Sequence, residues 1–272
     1  MKISIYTTVK NGLYFDYHIV PMLKHHLPFA DEIVVNEGYS NDGTYEAIAN
    51  LDPKIKIIRE KWDAGSKDKT MYMQLKDRVR KACTGDWCIS LDCDELIPEW
   101  EFDRVRAFLP TATKPIVALK FIHFYGNYQV YHARPEKVKW PIHKHPVHRN
   151  TDEIEVWGDG SNVIVKSQPG LEMVDFEHAF ECHHFGTVRH AARLRQKWRI
   201  EHKLLREETP KWDRVPGVVY DFAPHDWFDR EFLDDLAIYT GPVINTVKND
   251  PSEFTRDDLK LLQYLQDKDK QK

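Results

Sequence analysis

Three carboxylates that directly follow an apolar segment are the residues of this chain best suited to chemistry. Asp92, Asp94 and Glu95 come after residues 87–91, whose aromatic, β-branched and apolar side chains are typical of a strand buried on both faces of a parallel sheet. Mg²⁺ and Mn²⁺ prefer carboxylate oxygens, and Mg²⁺ keeps positions for water and substrate phosphates. The segment therefore predicts a divalent ion facing a diphosphate at the carboxyl end of a strand. The alternative is an ordinary acidic turn, structural or solvated.

The elements that must position these acids alternate along the N-terminal third of the chain. Strands are predicted over residues 2–8, 31–36, 55–58 and 87–91, and helices over 13–27, 44–50 and 70–82. This βαβαβ order predicts a parallel sheet with right-handed crossovers. The polar loops 10–11, 37–42 and 92–95 each follow a strand, so they are expected to meet at one edge of the sheet.

A family resemblance rests on three motifs in this region. Thr8-Val9-Lys10-Asn11, the run from Ala30-Asp31-Glu32 through Ser40-Asn41-Asp42-Gly43-Thr44, and Thr84-Gly85-Asp86-Trp87 through Asp92-Cys93-Asp94-Glu95 resemble the family 2 glycosyltransferases. The match covers roughly the first hundred residues, in the family's order and at its spacing. It implies a Rossmann-like A-type glycosyltransferase fold, an α/β architecture with a mostly parallel central sheet flanked by helices. It also implies a nucleoside-diphosphate sugar as donor.

The resemblance also implies roles for individual residues on the nucleotide side. The loop with Thr8 and Lys10 would pack against the nucleotide, and Asp42 belongs to the same nucleotide-sugar-binding set. Glu37 takes the place of an acid, usually Asp, that binds uracil or ribose, so the choice of base stays open. Lys69 would contact a phosphate, although its segment lacks the family's usual Ala-Arg-Asn pattern and a solvated helix start is the alternative.

The family's metal site maps onto the acidic cluster. By resemblance Asp92 would contact the ribose and the metal, and Asp94 would be the principal ligand of Mn²⁺ or Mg²⁺. His184 would contact the metal or the diphosphate, because His184-Phe185-Gly186 resembles the family's His-X-Gly at the end of a strand.

The remaining histidines leave a second hypothesis open. The groups His143, His145, His148 and His178, His183, His184 could form a zinc site, since neutral imidazole is a common ligand. Residues 143–145 also fit a polar surface turn. A zinc-dependent hydrolase built on the His143 to His184 set is therefore one alternative function.

Asp159 is the first candidate for the catalytic base, ahead of Glu155 and Asp152. It lies between Gly158 and Gly160 beside Trp157, where substrate could approach the backbone and apolar neighbours could raise a carboxyl pKa. The competing interpretation is an Asp-Gly turn that joins strands 154–157 and 162–165.

The C-terminal part is expected to be largely helical. Helices are predicted over 101–109, 187–208, 228–239 and 255–265, strands over 114–124, 128–131 and 138–140, a lid over 210–227, and disorder over 268–272. The helix from residue 187 carries a basic ridge formed by Arg189, Arg193 and Lys197. This ridge would be solvated or would meet an anionic membrane or lipid-diphosphate acceptor, or Arg189 would reach the diphosphate.

We expect a glycosyltransferase domain at 1–225, divided at residue 110 into nucleotide and acceptor halves, and a helical extension at 226–272.

Composition limits the function classes. The 272 residues are 42% hydrophobic and 30% charged with a net charge of −4, which is typical of a globular protein and argues against a general nucleic-acid binder. The absence of a signal-peptide pattern or a 20-residue apolar run predicts a cytoplasmic protein, with at most peripheral membrane contact, and four free cysteines fit that compartment.

The sequence thus predicts a Mn²⁺- or Mg²⁺-dependent glycosyltransferase. It would transfer a sugar, a hexose by the resemblance, from a UDP- or GDP-linked donor to a glycan or other hydroxyl acceptor with inversion. A non-catalytic nucleotide- or glycan-binding protein is the third alternative.

Overall fold

The computed structural model describes residues 1–62, 70–135, 140–190, 193–194, 196–197, 235–255 and 259–270. The strands are β1 Ile3–Val9, β2 Glu32–Glu37, β3 Ile55–Arg59, β4 Trp87–Ser90, β5 Glu95–Leu96, β6 Ile116–Tyr125, β7 Asn127–His132, β8 His143–Arg149, β9 Ile154–Trp157, β10 Asn162–Val165, β11 Val174–Thr187 and β12 Leu236–Ile238. The helices are α1 Ile19–His26, α2 Thr44–Ala49, α3 Met71–Ala82, α4 Glu99–Phe108, α5 Asn245–Asn249 and α6 Leu259–Lys270.

The N-terminal half of the sheet is parallel. β1 lies between β2 and β4, and β3 extends this unit beyond β2, all in parallel. Ile5, Ile33 and Ile89 are fully buried in one apolar core, as expected of strands covered on both faces. The predicted βαβαβ unit is confirmed, and with it the α/β fold class.

The second half of the sheet mixes directions. β8 is antiparallel to both β4 and β6, β7 is antiparallel to β6, and β12 is antiparallel to β7. β11 runs parallel to β6 and antiparallel to the short β5. Because β5 follows the acidic loop directly, this pairing brings β11 beside the loop.

Several predicted helix limits are wrong. The first helix begins at Ile19, because the chain over 13–16 forms turns that end with Asp16 at φ +50°. Residue Thr187 ends β11 through its alignment with Tyr125, so no helix begins there.

The C-terminal predictions also need correction. Residues Leu236–Ile238 form a strand instead of the predicted helix, since they complete the edge of the main sheet beside β7. Part of the predicted helical extension therefore belongs to the central sheet. Residues 268–270 continue α6 and are not disordered.

Other predictions lie outside the described residues: Lys69, the lid over 210–227, residues 138–139 of a predicted strand and most of the helix to residue 208. Trp140, at the end of that predicted strand, is not in a strand. All four cysteines are free and buried, as predicted. In the described part of the chain, no helix is long and apolar enough to cross a membrane.

Candidate active site

The predicted meeting of the polar loops at one sheet edge is confirmed. At the carboxyl end of β1, Val9 aligns with Glu37 and its carbonyl accepts a hydrogen bond from Gly38 N at 2.9 Å. On the other side of β1, Leu91 N donates to the Tyr6 carbonyl at 3.1 Å. The first residues after β2 and β4 therefore flank the end of β1, where ligands of open α/β sheets bind.

Asp94 is a buried acid of this edge. Its Oδ2 accepts a 2.6 Å hydrogen bond from Arg189 and lies 3.7 Å from the Lys197 ammonium, while its Oδ1 is 3.8 Å from His184 Nε2. Burial alone would raise the pKa of Asp94, but the charges around it, Lys197 foremost, hold that pKa well below its ordinary value. Asp94 is therefore a permanent carboxylate with one oxygen bound by Arg189 and the other turned toward an imidazole.

A chain of two hydrogen bonds sets the protonation of that imidazole. His123 Nε2 lies 2.9 Å from the Pro141 carbonyl, and His123 Nδ1 lies 2.8 Å from His184 Nδ1. Burial lowers the pKa of His123 to about 4 and that of His184 well below its ordinary value, so both rings are neutral near pH 7. The network assigns the proton of His184 to Nδ1 and leaves a lone pair on Nε2, facing Asp94.

Gly186 explains the His-X-Gly pattern physically. A Cβ atom at this position would lie 2.3 Å from His184 Nε2, closer than any real contact allows. The imidazole can therefore occupy this position only because residue 186 has no side chain. Phe185 N donates a hydrogen bond to the Asp94 carbonyl at 2.8 Å, so the backbone of β11 is joined to the acidic loop beside this imidazole.

The donor set of Asp94 and His184 suits a divalent ion. A carboxylate oxygen and an imidazole lone pair that face each other repel, and a cation between them removes the repulsion. Two protein ligands are enough for Mg²⁺ or Mn²⁺ when substrate phosphates and water complete the coordination. In the described residues no three His, Cys, Asp or Glu side chains converge on one metal position, so the predicted zinc site has no support there.

The other histidines of the zinc hypothesis have separate partners. His145 Nδ1 pairs with the Val163 carbonyl, His148 with Tyr6 Oη and the Arg149 carbonyl, and His178 with Asp175. His183 pairs with Glu181 on the opposite side of β11 from His184. These rings stabilise the sheet region instead of converging.

Asp92 lies between two lysines. Lys76 binds its Oδ1 at 2.6 Å, and Lys144 is 3.9 Å from its Oδ2 while bonding Glu95 at 2.6 Å. The Asp92 side chain is 37% exposed, whereas both lysine side chains are nearly buried. The predicted polar surface turn at 143–145 is wrong, because β8 carries Lys144 inward across the Phe121 ring. Asp92 and Asp94 therefore have different partners: Asp92 lies beside Lys76 and Lys144, whereas Asp94 lies beside Arg189, Lys197 and His184.

Glu37 differs from the residue that the resemblance implies. Its side chain is fully buried, with one oxygen bound by Ser40 N at 2.6 Å and the other by Arg59 Nε at 2.7 Å. In this arrangement the carboxylate stabilises its own turn and does not line an open nucleotide surface. The guanidinium of Arg59 stacks over the rings of Tyr39 and Tyr45 at 4.6 and 3.8 Å, and Tyr39 is 55% exposed.

The remaining nucleotide-side residues lie at the same edge. Thr8 and Lys10, at the end of β1, are partly exposed. Asp42 accepts hydrogen bonds from Tyr14 N at 2.7 Å and from Thr44 N at 3.0 Å, so it joins the loops after β1 and β2. Its observed contacts are structural, and its nucleotide role stays a prediction.

Arg189 contacts Asp94, and its contact with a diphosphate stays a prediction. Its guanidinium is fully buried, bonds Asp94 and the Phe15 carbonyl, and lies over the Tyr17 ring. The predicted solvated ridge is also wrong where it is described, because Arg193 lies over the Tyr14 ring at 4.0 Å and Lys197 over that of Tyr17 at 5.3 Å.

Asp159 lies at the tip of the β9–β10 hairpin, which confirms the turn interpretation. It is exposed and accepts a hydrogen bond from Ser161 N at 3.0 Å, between Gly158 at φ +69° and Gly160 at φ +91°. A Cβ at Gly160 would lie 3.2 Å from Lys76 Cδ, so the tip lies next to the lysines of Asp92. A role as base stays a prediction.

Sequence reasoning missed three side chains of this site: Lys76, Lys144 and His123. Lys76 lies on an amphipathic helix and Lys144 in a polar triplet, so neither has a local signal of burial. His123 lies on a strand of mostly apolar residues whose other polar residue, Lys120, is exposed, so a polar residue at an apolar position was the available signal.

Comparisons with known proteins add a likeness of fold. No family model and no curated protein matches the chain. Among similar solved structures are S. aureus TarS residues 1–349 in complex with UDP, at 16% identity and TM-score 0.41, and the Pyrobaculum calidifontis mannosyltransferase PcManGT in complex with GDP-Man and Mn²⁺, at 17% and 0.35. A third is the Mycobacterium tuberculosis glucosyl-3-phosphoglycerate synthase in complex with Mn²⁺, UDP and phosphoglyceric acid, at 18% and 0.37.

These likenesses are partial. The matches cover 55%, 43% and 59% of this chain, and 47%, 35% and 61% of the three similar chains in the same order.

Proposed function

We propose that this chain is a glycosyltransferase that moves a sugar from a nucleoside-diphosphate sugar to a hydroxyl acceptor. The observation that carries the proposal is the pair formed by Asp94 Oδ1 and the bare Nε2 of His184, 3.8 Å apart. Asp94 lies on the loop after β4, where Cys93 Sγ donates to the Thr8 carbonyl of β1 at 3.1 Å. An ion held there beside a nucleotide would face its diphosphate.

Asp94 and His184 would hold Mn²⁺ or Mg²⁺. When bound, the ion would act as a Lewis acid on the leaving diphosphate. Arg189 keeps the Asp94 carboxylate in place through its second oxygen, as outer-shell partners of metal ligands do. The Lys197 ammonium, 3.7 Å from Asp94, would add positive charge beside the phosphates.

The donor is proposed to be UDP- or GDP-linked, with its nucleotide against Thr8, Lys10 and the exposed ring of Tyr39. Aromatic rings support bases by stacking. The acceptor would be a glycan or other hydroxyl compound, a lipid-linked one included. Asp159 would remove the acceptor proton as the hydroxyl attacks the anomeric carbon from the face opposite the diphosphate, giving inversion.

A ligand panel tests the proposal. Melting temperature is measured with UDP, GDP and their sugars, each with and without Mn²⁺, since a ligand that binds the native state raises it. We expect one nucleoside diphosphate to stabilise the chain strongly only with the ion. Asp94→Asn should abolish that increment and donor turnover, whereas the matched control Asp103→Asn, an exposed carboxylate on α4, should keep both. Full turnover by Asp94→Asn would overturn the proposed role of Asp94.

The base is tested separately. Asp159→Asn should lower turnover by about 10²- to 10⁴-fold while leaving donor binding unchanged. Unchanged turnover would remove Asp159 from the mechanism without affecting the donor proposal. Donor binding with no transfer to any acceptor would instead favour a nucleotide- or glycan-binding protein.

A further inference from the structure

We propose that His123 is a positioning residue that fixes the tautomer of His184 and so keeps His184 Nε2 available as a ligand atom. The link from this atom to a bound ion rests on the proposed function. The tautomer itself follows from the hydrogen bonds and can be measured without any ion.

The direction of each hydrogen bond follows from what its atoms can do. The Pro141 carbonyl can only accept, so His123 Nε2 carries a proton and donates to it at 2.9 Å. In a neutral ring the other nitrogen, His123 Nδ1, is then an acceptor. His184 Nδ1, 2.8 Å away, must therefore donate, which leaves His184 Nε2 without a proton.

The surroundings hold both rings in this relation. His123 on β6 and His184 on β11 are aligned partners in adjacent parallel strands, and His123 is 1% exposed. Their rings are perpendicular, with centroids 5.0 Å apart, and Trp140 lies within 5.4 Å of each. The hydrogen-bonded pair of rings is thus held by two adjacent strands of the sheet.

The consequence concerns Asp94. If His184 carried its proton on Nε2, it could donate toward Asp94 Oδ1, 3.8 Å away, and both atoms would be lost as ligands. His123 excludes this tautomer, because its Nδ1 accepts a hydrogen bond that only a proton on His184 Nδ1 can supply. Outer-shell partners that set a histidine tautomer in this way commonly alter metal affinity by 10- to 100-fold.

Nitrogen NMR of ¹⁵N-histidine-labelled, metal-free protein tests the inference directly. His184, assigned by the signals that disappear in His184→Gln, should show a protonated Nδ1 and a bare Nε2. A protonated Nε2 in the wild-type chain would overturn the inference, whether or not the protein proves to be a glycosyltransferase.

Two variants separate positioning from packing. His123→Phe keeps a ring but removes the acceptor, so His184 should move its proton to Nε2 and Mn²⁺ affinity, measured by titration with UDP present, should fall about 10- to 100-fold. His123→Asn returns a carbonyl oxygen near the Nδ1 position and should restore both the tautomer and most of the affinity. His132→Phe, which replaces another buried histidine beside Trp140, should leave the tautomer unchanged.

The outcomes distinguish the two proposals. An unchanged tautomer in His123→Phe, or equal loss of affinity in His123→Phe and His123→Asn, would overturn the positioning role. The expected tautomers without measurable Mn²⁺ binding would support the positioning role and contradict the proposed metal site.

Discussion

Asp92 and Asp94 lie two residues apart on one loop, yet their surroundings differ in kind. Asp92 is partly exposed and lies between the ammonium groups of Lys76 and Lys144. Asp94 is buried, bound by Arg189 on one oxygen and opposite the bare nitrogen of His184 on the other. We call these the lysine side and the histidine side of the site.

The difference shows that the Asp-X-Asp pattern alone does not tell which carboxylate would bind a metal ion. On the lysine side, an ammonium group lies at each oxygen of the carboxylate. On the histidine side, Arg189 and Lys197 lie at one oxygen of Asp94 and the other faces a neutral imidazole, where an added cation is the economical partner. Asp94 and His184 are therefore the ion ligands that we propose.

The largest expected effect separates the two sides by stability. Asp94→Asn leaves the buried guanidinium of Arg189 without a counter-charge, which should lower the free energy of unfolding by about 3–5 kcal/mol. Asp92→Asn should cost less, about 1 kcal/mol, because the Asp92 carboxylate is 37% exposed and water reaches its ion pair with Lys76. Urea denaturation of both variants measures the difference. Equal losses would show that the two sides do not differ energetically.

A rescue sharpens this result. Adding Arg189→Gln to Asp94→Asn removes the uncompensated charge, so the double variant should be more stable than Asp94→Asn alone. A further loss on adding Arg189→Gln would contradict the counter-charge explanation.

Acid should destabilise the folded chain through His123 on the histidine side, and through His132 and His148, whose pKa values burial also lowers to about 4. The pKa of His123 is lowered to about 4 by burial, so between pH 6.5 and 4 the unfolded chain binds a proton that the folded chain does not. The contribution of His123 to the free energy of unfolding is complete above pH 6.5 and falls by about 3 kcal/mol between pH 6.5 and pH 4. Glu32, whose pKa is about 2 because its hydrogen bonds outweigh burial, loses its contribution only below pH 4.5.

Urea denaturation at half-unit steps from pH 7.5 to 4 measures this dependence. His123→Phe should show a shallower fall between pH 6.5 and 4 than the wild type. Identical pH profiles would contradict a neutral, buried His123.

Gly186 offers a steric test of the histidine side. Gly186→Ala places a methyl group 2.3 Å from the present position of His184 Nε2, so the imidazole must move away from Asp94. We expect Mn²⁺ affinity to fall about 10- to 100-fold in calorimetric titration with UDP. The control is Gly158→Asn, at an open hairpin position where Asn tolerates φ +69°. Loss of affinity in the control as well would point to a general disturbance.

The smallest effect is expected at the hairpin tip beside the lysine side. Asp159→Asn changes an exposed side chain with one local hydrogen bond, so the free energy of unfolding should change by less than about 0.5 kcal/mol. Urea denaturation checks this expectation. A loss near that of Asp94→Asn would mean that Asp159 supports the buried lysines.

Local pattern accounts for what the sequence could predict about the sheet. The apolar runs of β1, β2 and β4 and the polar residues that follow them predict a parallel unit, because strands buried on both faces need such runs. The same pattern predicts that Asp92 and Asp94 lie at the carboxyl edge. It also predicts the β9–β10 hairpin through two glycines at an Asp turn.

The partners of each acid depend on residues far apart in the chain. Lys144 and His123 reach the site through β8 and β6, and His184 through the pairing of β11 with β5, so strand pairings between distant segments bring them together. Helix propensity also failed at Leu236–Ile238, where pairing with β7 outweighs it. The sequence alone determined which residues could carry charge to this edge of the sheet. Only the tertiary structure decided which carboxylate has an ammonium group at each oxygen and which has one oxygen facing an imidazole, because burial and long-range strand pairing set those contacts.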